Sequence, residues 1–313
     1  MGEAKRSCVD VGSEYCPCSL ALTGDCLICS RLQGEVDEDT STCDCGWEGS
    51  CPYTILTQNG GKPASRREER SAVLLERKDY GQEISVLIFD VGPGFAQKAS
   101  IPGSFVFLRR NAVEDGAWDH AGSYDMPVSV MKADETAGTI HLAIRREGPK
   151  SKMLLNRIST MDDYVIRGPY YSGLLGAERL RSANIKGKRI LFLTKGIGAA
   201  PAILAMDRLL PMNVSMRWLA DETKIDGQLL EEYGEAVKLE PMILDDQLYD
   251  IVVISGSPFF AESMGREMRK RLPEAELVIS NNATMCCGEG ICGACTEVTE
   301  DGQVIRRCKC GNQ

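Results

Sequence analysis

The sequence contains very little histidine, no extended apolar run and no basic block. Only two histidines, His120 and His141, occur in 313 residues, which argues against chemistry built on histidine bases or histidine-rich metal sites. The net charge of −9, without clustered lysine or arginine, argues against a nucleic-acid partner. No apolar segment is long enough to cross a bilayer, and the first residues lack the apolar core of a signal peptide. These absences predict a cytoplasmic protein without a membrane partner.

Cysteine is abundant but is confined to the two ends of the chain. Of the 14 cysteines, eight lie within residues 8–51 and six within residues 286–310. In a cytoplasmic protein this usage indicates metal or redox work and not a disulfide scaffold. The length allows two ordinary domains plus small modules. We therefore expect two metal-bearing ends on either side of a cysteine-free middle.

The C-terminal cysteines have the spacing C-x4-C-x2-C…C, which is the plant-type [2Fe–2S] pattern. The four candidate ligands are Cys287, Cys292, Cys295 and Cys308. The glycines between them let the backbone wrap tightly and turn its N–H groups toward the sulfurs. A zinc site usually has two C-x2-C pairs, of which only one is present, and disulfides need an oxidising compartment. Cys286 or Cys310 could replace a neighbour, so the fourth ligand is left open.

The N-terminal cysteines stand among Gly, Ser, Asp and Thr in a segment too short to build its own apolar core. Eight thiolates could bind two four-coordinate centres, for which iron–sulfur clusters, zinc and unmetallated thiols are the alternatives. The spacing does not group them. These candidate ligands are Cys8, Cys16, Cys18, Cys26, Cys29, Cys43, Cys45 and Cys51.

The middle of the chain divides into two patterns. Short β-branched or aromatic segments separated by Gly-Pro turns predict a small antiparallel barrel, with strands at 71–77, 83–89, 104–109, 127–131 and 138–145. Beyond residue 187, strands alternate with helical segments, which predicts βαβ units on a parallel sheet. The predicted strands are 188–194, 214–220, 249–256 and 276–280, and the predicted helices are 202–210 and 261–270.

A Gly-rich turn follows the first of these parallel strands. Gly196 and Gly198 permit close approach of the backbone, and Pro201 suits a first helical turn. Such a turn presents free N–H groups and the positive helix end to a phosphate. By itself the G-x-G is compatible with a nucleotide site or with a tight structural turn.

Taken in order, these features resemble the electron-transfer subunit of class 1B dihydroorotate dehydrogenase, a family of the ferredoxin–NADP reductase superfamily. The resemblance covers about residues 70–310 and rests most on Cys287–Cys308 and Gly196–Pro201. It implies a multi-domain α+β and α/β chain with an FAD-binding barrel, an NAD(P)-binding Rossmann-like domain and a [2Fe–2S] cluster. The implied domains are the barrel at 66–180, the nucleotide domain at 185–280 and the cluster module at 281–313. The Cys-rich module at 1–60 lies outside the family pattern and would be an added redox module.

The resemblance also assigns candidate cofactor residues. The flavin motif corresponds to Met126, Pro127, Val128 and Ser129, the pyrophosphate loop to Gly148, Ser151 and Lys152, and the Gly-Pro turn to Gly168 and Gly173. The nicotinamide-domain loop corresponds to Gly196, Gly198 and Pro201, and the Cys-Gly-Pro segment near the nicotinamide to Ser255, Gly256, Ser257 and Pro258.

Three positions depart from the family. Met126 stands where the family has arginine, Thr194-Lys195 replaces Gly-Gly, and Ser255 replaces a cysteine near the hydride path.

Other candidate residues also have a purely structural interpretation. Ser129 is also an ordinary strand residue, and Lys152 an ordinary solvated charge. Asp221 and Glu222 follow the second parallel strand, where an acidic group can bind ribose hydroxyls and favour NAD over NADP, or lie exposed in a loop.

The parts predict an NAD(P)H-linked flavin and iron–sulfur subunit. It would exchange electrons with a catalytic flavoprotein subunit or a ferredoxin, and the unusual N-terminus favours a partner other than dihydroorotate dehydrogenase. No catalytic side chain is required, because FAD itself can divide a two-electron hydride into single electrons. The alternative is a zinc-stabilised scaffold or regulatory protein that keeps a reductase-like fold without catalysis.

Overall fold

The computed structural model describes most of the chain as two compact units. The described residues are 7–34, 45, 47–110, 125–156, 158–160, 163–221, 227–234, 237–245, 247–299, 302 and 304–311. The predicted sites Cys43 and Glu222, like His120, lie outside them. One unit combines Met1–Glu68 with Ala283–Gln313, and the other is Glu69–Asn282. The two cysteine-rich ends therefore belong to a single unit, while the four-domain division of the sequence stays a prediction.

The first half of the Glu69–Asn282 unit is a closed antiparallel barrel with the strand order β1-β2-β5-β4-β3-β6. Its strands are β1 (Glu69–Tyr80), β2 (Ile84–Asp90), β3 (Phe105–Arg110), β4 (Met126–Asp134), β5 (Thr139–Arg145) and β6 (Asp163–Tyr170). Helices α2 (Pro93–Ala99) and α3 (Pro149–Asn156) lie between strands in the chain. The predicted antiparallel barrel is confirmed.

Two barrel elements differ from the sequence prediction. The segment Asp163–Tyr170 is strand β6, although its Gly168-Pro169 pair reads as a turn; it closes the barrel by pairing with both β1 and β3. Residues 91–94 open helix α2 and are not a simple turn, because Pro93 occupies the first helical turn, where its missing N–H costs nothing.

The second half of this unit is a six-stranded sheet with the order β10-β9-β8-β11-β12-β7. The strands are β7 (Leu174–Leu175), β8 (Arg189–Lys195), β9 (Ser215–Asp221), β10 (Leu239–Pro241), β11 (Ile251–Ser255) and β12 (Glu276–Ser280). Only β7 runs antiparallel to its neighbour. The helices are α4 (Glu178–Arg181), α5 (Ala199–Leu209), α6 (Gly227–Tyr233) and α7 (Pro258–Arg271). The predicted parallel sheet is confirmed, and the short strands β7 and β10 are additions.

Barrel and sheet share apolar packing through helix α5. Its residue Leu204 belongs to the barrel core, whereas Ile203 packs with the sheet. Polar contacts reinforce this packing on α6, where the Tyr233 hydroxyl lies 3.0 Å from Nδ1 of His141 on β5. Burial lowers the pKa of His141 to about 4, so the ring is neutral at pH 7. This histidine is a structural contact between the barrel and the nucleotide-type sheet.

The discontinuous unit has little regular structure. It contains α1 (Pro52–Gln58), the hairpin strands β13 (Thr296–Val298) and β14 (Val304–Arg306), and short 3-10 turns at Ser19–Leu22 and Ser30–Gln33. Its two chain ends are joined by backbone pairing of Cys8 with Cys310. Within the described ranges of the whole chain, no helix is long and apolar enough to span a membrane.

Candidate functional site

The carboxyl ends of the central parallel strands meet at one edge of the sheet. Lys195 at the end of β8 is in register with Asp221 at the end of β9, and Thr194 with Ser255 at the end of β11. Ligands of parallel sheets bind beyond this edge. The strand register thus brings together three segments that the sequence predicts for nucleotide binding.

The loop that leaves this edge needs glycine for a steric reason. Residues Gly196–Gly198 form a 3-10 turn that leads directly into α5. A Cβ on Gly198 would lie 2.4 Å from the carbonyl oxygen of Ser255, and Gly196 has φ of +59°. Pro201 lies buried in the first turn of α5. The loop is therefore pressed against the end of β11, with the N-terminus of an 11-residue helix behind it.

Ser255 carries a buried polar atom that other side chains do not satisfy. Its side chain is fully buried, and its Oγ has no hydrogen-bond partner among the residues that the structure describes. A buried hydroxyl without a partner is costly. The sequence resemblance places this residue near the nicotinamide, and an amide or carbonyl group bound there would satisfy it.

A cavity of about 510 Å³ opens at the same edge. Lys195 and Asp221 line it together with Ser257, Phe259 and Met264. The Lys195 ammonium and the Asp221 carboxylate form an ion pair at 2.8 Å, with both side chains partly exposed. Asp221 is thus placed on a cavity wall, and its position beside Lys195 was not foreseen from the sequence.

The turn after β11 is built by its small residues. A Cβ on Gly256 would lie 2.6 Å from Cδ1 of Phe260. The Ser257 hydroxyl accepts a hydrogen bond from the Phe260 amide at 3.3 Å, and Pro258 begins α7. Ser257 therefore has the N-capping role that serine commonly fills.

The predicted flavin motif lies on strand β4 of the barrel. Met126, Pro127 and Ser129 face Leu108, Phe107 and Phe105 across the β3–β4 pair. Val128 is buried, whereas Pro127 is exposed and Ser129 is partly exposed. The motif is therefore part of a regular strand, and its flavin contacts stay a prediction.

The predicted pyrophosphate loop opens helix α3. The Ser151 hydroxyl accepts from the Glu147 amide at 3.1 Å and donates to the Gly148 carbonyl at 3.0 Å, so it closes the turn. Lys152 is exposed. The Nζ of Lys150, which the sequence prediction did not include, donates to the Asp125 carbonyl at 2.9 Å. Two lysines thus stand in the first turn of an eight-residue helix.

The predicted Gly-Pro turn lies against the loop before β3. Gly168 has φ of +144°, and a Cβ on Gly173 would lie 2.6 Å from the Gly103 carbonyl oxygen. That oxygen accepts a hydrogen bond from the Gly173 amide at 2.9 Å. Both glycines thus have conformational or steric reasons to be glycine, and ligand contacts at them stay a prediction.

An arginine pair that sequence reasoning missed stands next to the flavin motif. Arg109 on β3 and Arg167 on β6 both contact the carboxylate of Asp125, at 3.2 Å and 2.8 Å, directly before Met126. Arg109 also pairs with Glu69 at 2.5 Å. The neighbouring strands therefore bring guanidinium groups to the region where β4 lacks the family's arginine. Only strand pairing reveals this, because Arg109 and Arg167 are far apart in sequence.

The four predicted C-terminal ligands are brought together. The Sγ atoms of Cys295 and Cys308 are 3.2 Å apart, because the β13–β14 hairpin begins and ends beside them. Side-chain hydrogen bonds also join Cys287 to Cys308 and to Cys292. Cys286 is exposed, and Cys310 pairs with Cys8 on the N-terminal side.

The loop after Cys287 favours the thiolate form of that residue. Gly288, Gly290 and Gly293 have φ of +72°, +76° and +74°, conformations that favour glycine. They orient backbone amides toward the sulfurs, such as that of Glu289, which donates to Cys287 Sγ at 3.3 Å. Donation from the Cys308 thiol and from backbone amides lowers the pKa of Cys287 to about 3. The pKa of Cys308 is raised in turn.

The described N-terminal cysteines divide by their surroundings. Cys8, Cys16, Cys18 and Cys26 line one cavity. Cys29 is buried in an apolar cluster with Leu32, and Cys51 precedes α1. Cys45 is partly exposed. Among the residues that the structure describes, no group of three or more His, Cys, Asp or Glu side chains is arranged to hold a single metal ion.

A buried charge cluster joins the two ends of the discontinuous unit. Lys309, which is fully buried, donates to Asp10 at 2.6 Å and to Glu289 at 2.8 Å. Arg67 pairs with Asp10 at 2.7 Å. Burial alone would raise the pKa of Asp10, but Lys309 and Arg67 more than offset it, so this pKa lies below its usual value. Sequence reasoning did not anticipate this cluster.

Solved structures with the same architecture include several flavin reductases. No protein-family profile and no curated protein matches the chain. An NADH-dependent reduced ferredoxin–NADP oxidoreductase, studied for flavin-based electron bifurcation, aligns with a TM-score of 0.56 at 17% identity, over 76% of this chain and 85% of that one. The ferredoxin reductase of carbazole 1,9a-dioxygenase aligns with a TM-score of 0.52 at 12% identity, over 70% of each chain.

A type IV self-sufficient cytochrome P450 monooxygenase also aligns, with a TM-score of 0.51 at 14% identity, over 78% of this chain and 40% of that one. The chain has the ferredoxin–NADP reductase fold. Identities this low establish the shared fold and not a shared activity, so the narrower resemblance to the class 1B subunit stays a prediction.

The close approach at Gly198 predicts the effect of one added methyl group. Gly198→Ala should displace the loop from the Ser255 carbonyl. If the loop holds NADH, as the sequence predicts, the variant should bind it about tenfold more weakly, or by 1.4 kcal/mol. NADH-dependent quenching of tryptophan fluorescence would measure it. The matched control is Gly94→Ala in α2, where an added Cβ meets nothing within 4 Å. Unchanged affinity in Gly198→Ala would show that the loop does not hold the nucleotide.

The buried charge cluster predicts a large cost for removing its lysine. Lys309→Met removes the buried positive charge that compensates Asp10 and Glu289. This should destabilise the discontinuous unit by about 3–5 kcal/mol. Hydrogen exchange of peptides from residues 7–34 and 304–311 would report it, with exposed Lys62→Met as the control. Protection equal to wild type in both segments would contradict a structural role for the cluster.

Proposed function

We propose that the protein is the electron-transfer subunit of a flavin and iron–sulfur oxidoreductase. It would pass electrons between NAD(P)H, FAD and a [2Fe–2S] cluster, to or from a catalytic flavoprotein subunit or a ferredoxin. The observation that carries the proposal is the convergence of Cys287, Cys292, Cys295 and Cys308 in a chain with the reductase fold. FAD, when bound, supplies the conversion between a two-electron hydride and single electrons.

The sheet edge is suited to hold the nicotinamide nucleotide. Gly198 allows the backbone to approach the end of β11, and the N-terminus of α5 favours an anionic phosphate. The orphaned Ser255 hydroxyl is available to orient a carboxamide. The cavity beside Lys195 and Asp221 has room for the ribose and adenine side of the coenzyme. These residues bind and orient; none is required to move a proton.

The barrel is suited to hold the flavin. Lys150 and Lys152 stand in the first turn of α3. Arg109 and Arg167 stand beside the strand that carries Met126–Ser129, but Asp125 and Glu69 already compensate their charges. Ammonium groups of this kind neutralise a pyrophosphate. In this proposal the two lysines of α3 supply the positive charge that Met126 lacks.

The C-terminal loop is suited to a [2Fe–2S] cluster because its donors are all sulfur and its amides already point at them. In such clusters four cysteines are shared between two irons, and hydrogen bonds to sulfur tune the potential. The paired approach of Cys295 to Cys308 and of Cys287 to Cys292 fits a ligand set of two pairs.

Anaerobically purified protein tests the proposal. It should contain FAD and iron, NADH should bleach its flavin absorbance, and it should reduce cytochrome c. Cys292→Ser should retain flavin bleaching but lose most of the cytochrome c reduction, because the one-electron carrier is removed. Exposed Cys286→Ser is the control and should resemble wild type. Zinc without iron or flavin would instead favour the non-catalytic scaffold.

The Lys195–Asp221 pair predicts how coenzyme preference can be changed. The Asp221 carboxylate repels a 2′-phosphate and occupies Lys195, so we expect wild type to prefer NADH. Asp221→Asn should release Lys195 to meet the phosphate and shift the ratio of kcat/KM for NADPH over NADH upward by about tenfold, or 1.4 kcal/mol. Lys195→Met in the same background should cancel the shift. An unchanged ratio in Asp221→Asn would remove Asp221 from coenzyme selection.

A further inference from the structure

The cavity of the discontinuous unit is lined by thiols from four separate positions in the chain. Cys8, Cys16, Cys18 and Cys26 contribute to its wall, together with apolar residues such as Leu20 and Ile28. Eight cysteines leave many ways of choosing four, and the spacing did not decide among them. Among the seven that the structure describes, the cavity singles out these four, because they share one space.

Tight turns bring the four thiols back to this space. The amides of Val11, Cys16 and Ala21 donate to the carbonyls of Cys8, Ser13 and Cys18 at 3.3, 3.1 and 2.9 Å. Gly12 has φ of +74° and packs against Trp47, from which a Cβ would be only 2.8 Å away. The segment is therefore folded around the cavity by its own backbone hydrogen bonds and by a tryptophan outside the cysteine series.

The donor set at the cavity is mainly sulfur, with the Tyr15 hydroxyl and one carboxylate beside the four thiols. The one carboxylate on its wall is Asp10, and that group is already paired with Arg67 at 2.7 Å and Lys309 at 2.6 Å. Neither histidine of the chain belongs to this segment. Thiolate ligation of this kind selects zinc or an iron–sulfur cluster over magnesium, calcium or manganese.

The cavity lies directly beside the C-terminal cluster loop. Leu20 on its wall packs against that loop, where a Cβ on Gly290 would lie 2.9 Å from Leu20 Cδ1. Cys8 pairs through its backbone with Cys310, and the Val9 amide donates to the Lys309 carbonyl at 2.9 Å. Lys309 thus lies between the candidate ligand Cys308 and Cys310, whose backbone pairs with Cys8.

The remaining described N-terminal cysteines are placed differently. Cys29 is fully buried in the apolar cluster with Leu32, and Cys51 occupies the N-cap position of α1. Cys45 is partly exposed, and none of these three lines the cavity. Cys26 borders both regions, since its sulfur accepts a hydrogen bond from the Cys29 amide at 3.4 Å.

We infer that Cys8, Cys16, Cys18 and Cys26 ligate one iron–sulfur cluster, which lies next to the [2Fe–2S] loop. The choice of iron over zinc rests on the proposed function, because a centre packed against an electron carrier can exchange single electrons with it. The pair would form a relay in which one centre is oxidised as the other is reduced, with NADH as the reductant. Electrons would then leave or enter the protein at the N-terminal centre.

The test uses the full chain, reconstituted without oxygen with ferrous iron and sulfide. Cys18→Ser should bind less iron and sulfide than wild type, by the amount of one cluster, and should lose one set of electron paramagnetic resonance signals. The control is Cys51→Ser, since serine is a favoured N-cap and Cys51 is outside the cavity. It should keep the signals that Cys18→Ser loses.

A second readout reports the proximity of the two centres. In fully reduced wild type, magnetic interaction should broaden the [2Fe–2S] signal, and Cys18→Ser should show the same signal sharpened. That retained signal also shows that the unit has folded, since both sites belong to it. Cys8→Ser should reproduce the result and serves if Cys18→Ser does not fold.

Several results would overturn the inference. Equal iron in Cys18→Ser and wild type, a loss of the same signals in Cys51→Ser, or tight zinc occupancy that iron does not replace would each do so. NADH-dependent bleaching of the flavin absorbance distinguishes a failure of this inference from a failure of the proposed function. If bleaching persists while Cys18 has no effect on iron, only the inference fails; if bleaching is absent while Cys18-dependent iron is present, only the proposed function fails.

Discussion

The buried contacts of Lys309 with Asp10 and Glu289 hold the discontinuous unit together. A lysine is rarely buried completely, and here its charge is compensated by two carboxylates, with Arg67 balancing the second negative charge. Each member belongs to a different part of the unit. Asp10 follows Cys8, Glu289 stands inside the cluster loop, and Lys309 follows Cys308. Any movement of one cysteine segment against the other would separate charges in an apolar interior, so both sets of thiols are held in one frame.

The carboxyl edge of the parallel sheet depends on a steric constraint, not on charge. Gly198 and Gly256 allow two backbone turns to pack at the ends of β8 and β11. The Ser255 hydroxyl is buried there and has no hydrogen-bond partner within the described part of the chain. A protein that needed only a stable sheet would fill this place with an apolar side chain. An unpaired polar atom at a strand end is the kind of local cost that a bound ligand repays.

Much of the fold could be predicted from sequence, because local patterns decide strands and turns. The predicted strands 83–89 and 188–194 overlap the observed strands β2 and β8. Strand β6 was missed because Gly168-Pro169 inside it is an ordinary turn signal. Contacts between residues that are distant in the chain could not be predicted, because sequence patterns are local. Nothing near Lys309 in sequence reveals Asp10, and nothing near Met126 reveals Arg167. The grouping of the N-terminal thiols likewise depends on how turns fold back, which spacing does not encode.

Because Cys8 pairs with Cys310, the discontinuous unit can be completed only at a late stage of synthesis. Residues 7–34 leave the ribosome long before residues 304–311, and the intervening barrel and sheet have their own cores and can fold first. The N-terminal segment therefore gains its contacts with Lys309 and Cys310 only after residues 304–311 have been synthesised. The synthesis of residues 304–311 is thus the step that completes the contacts of the N-terminal segment.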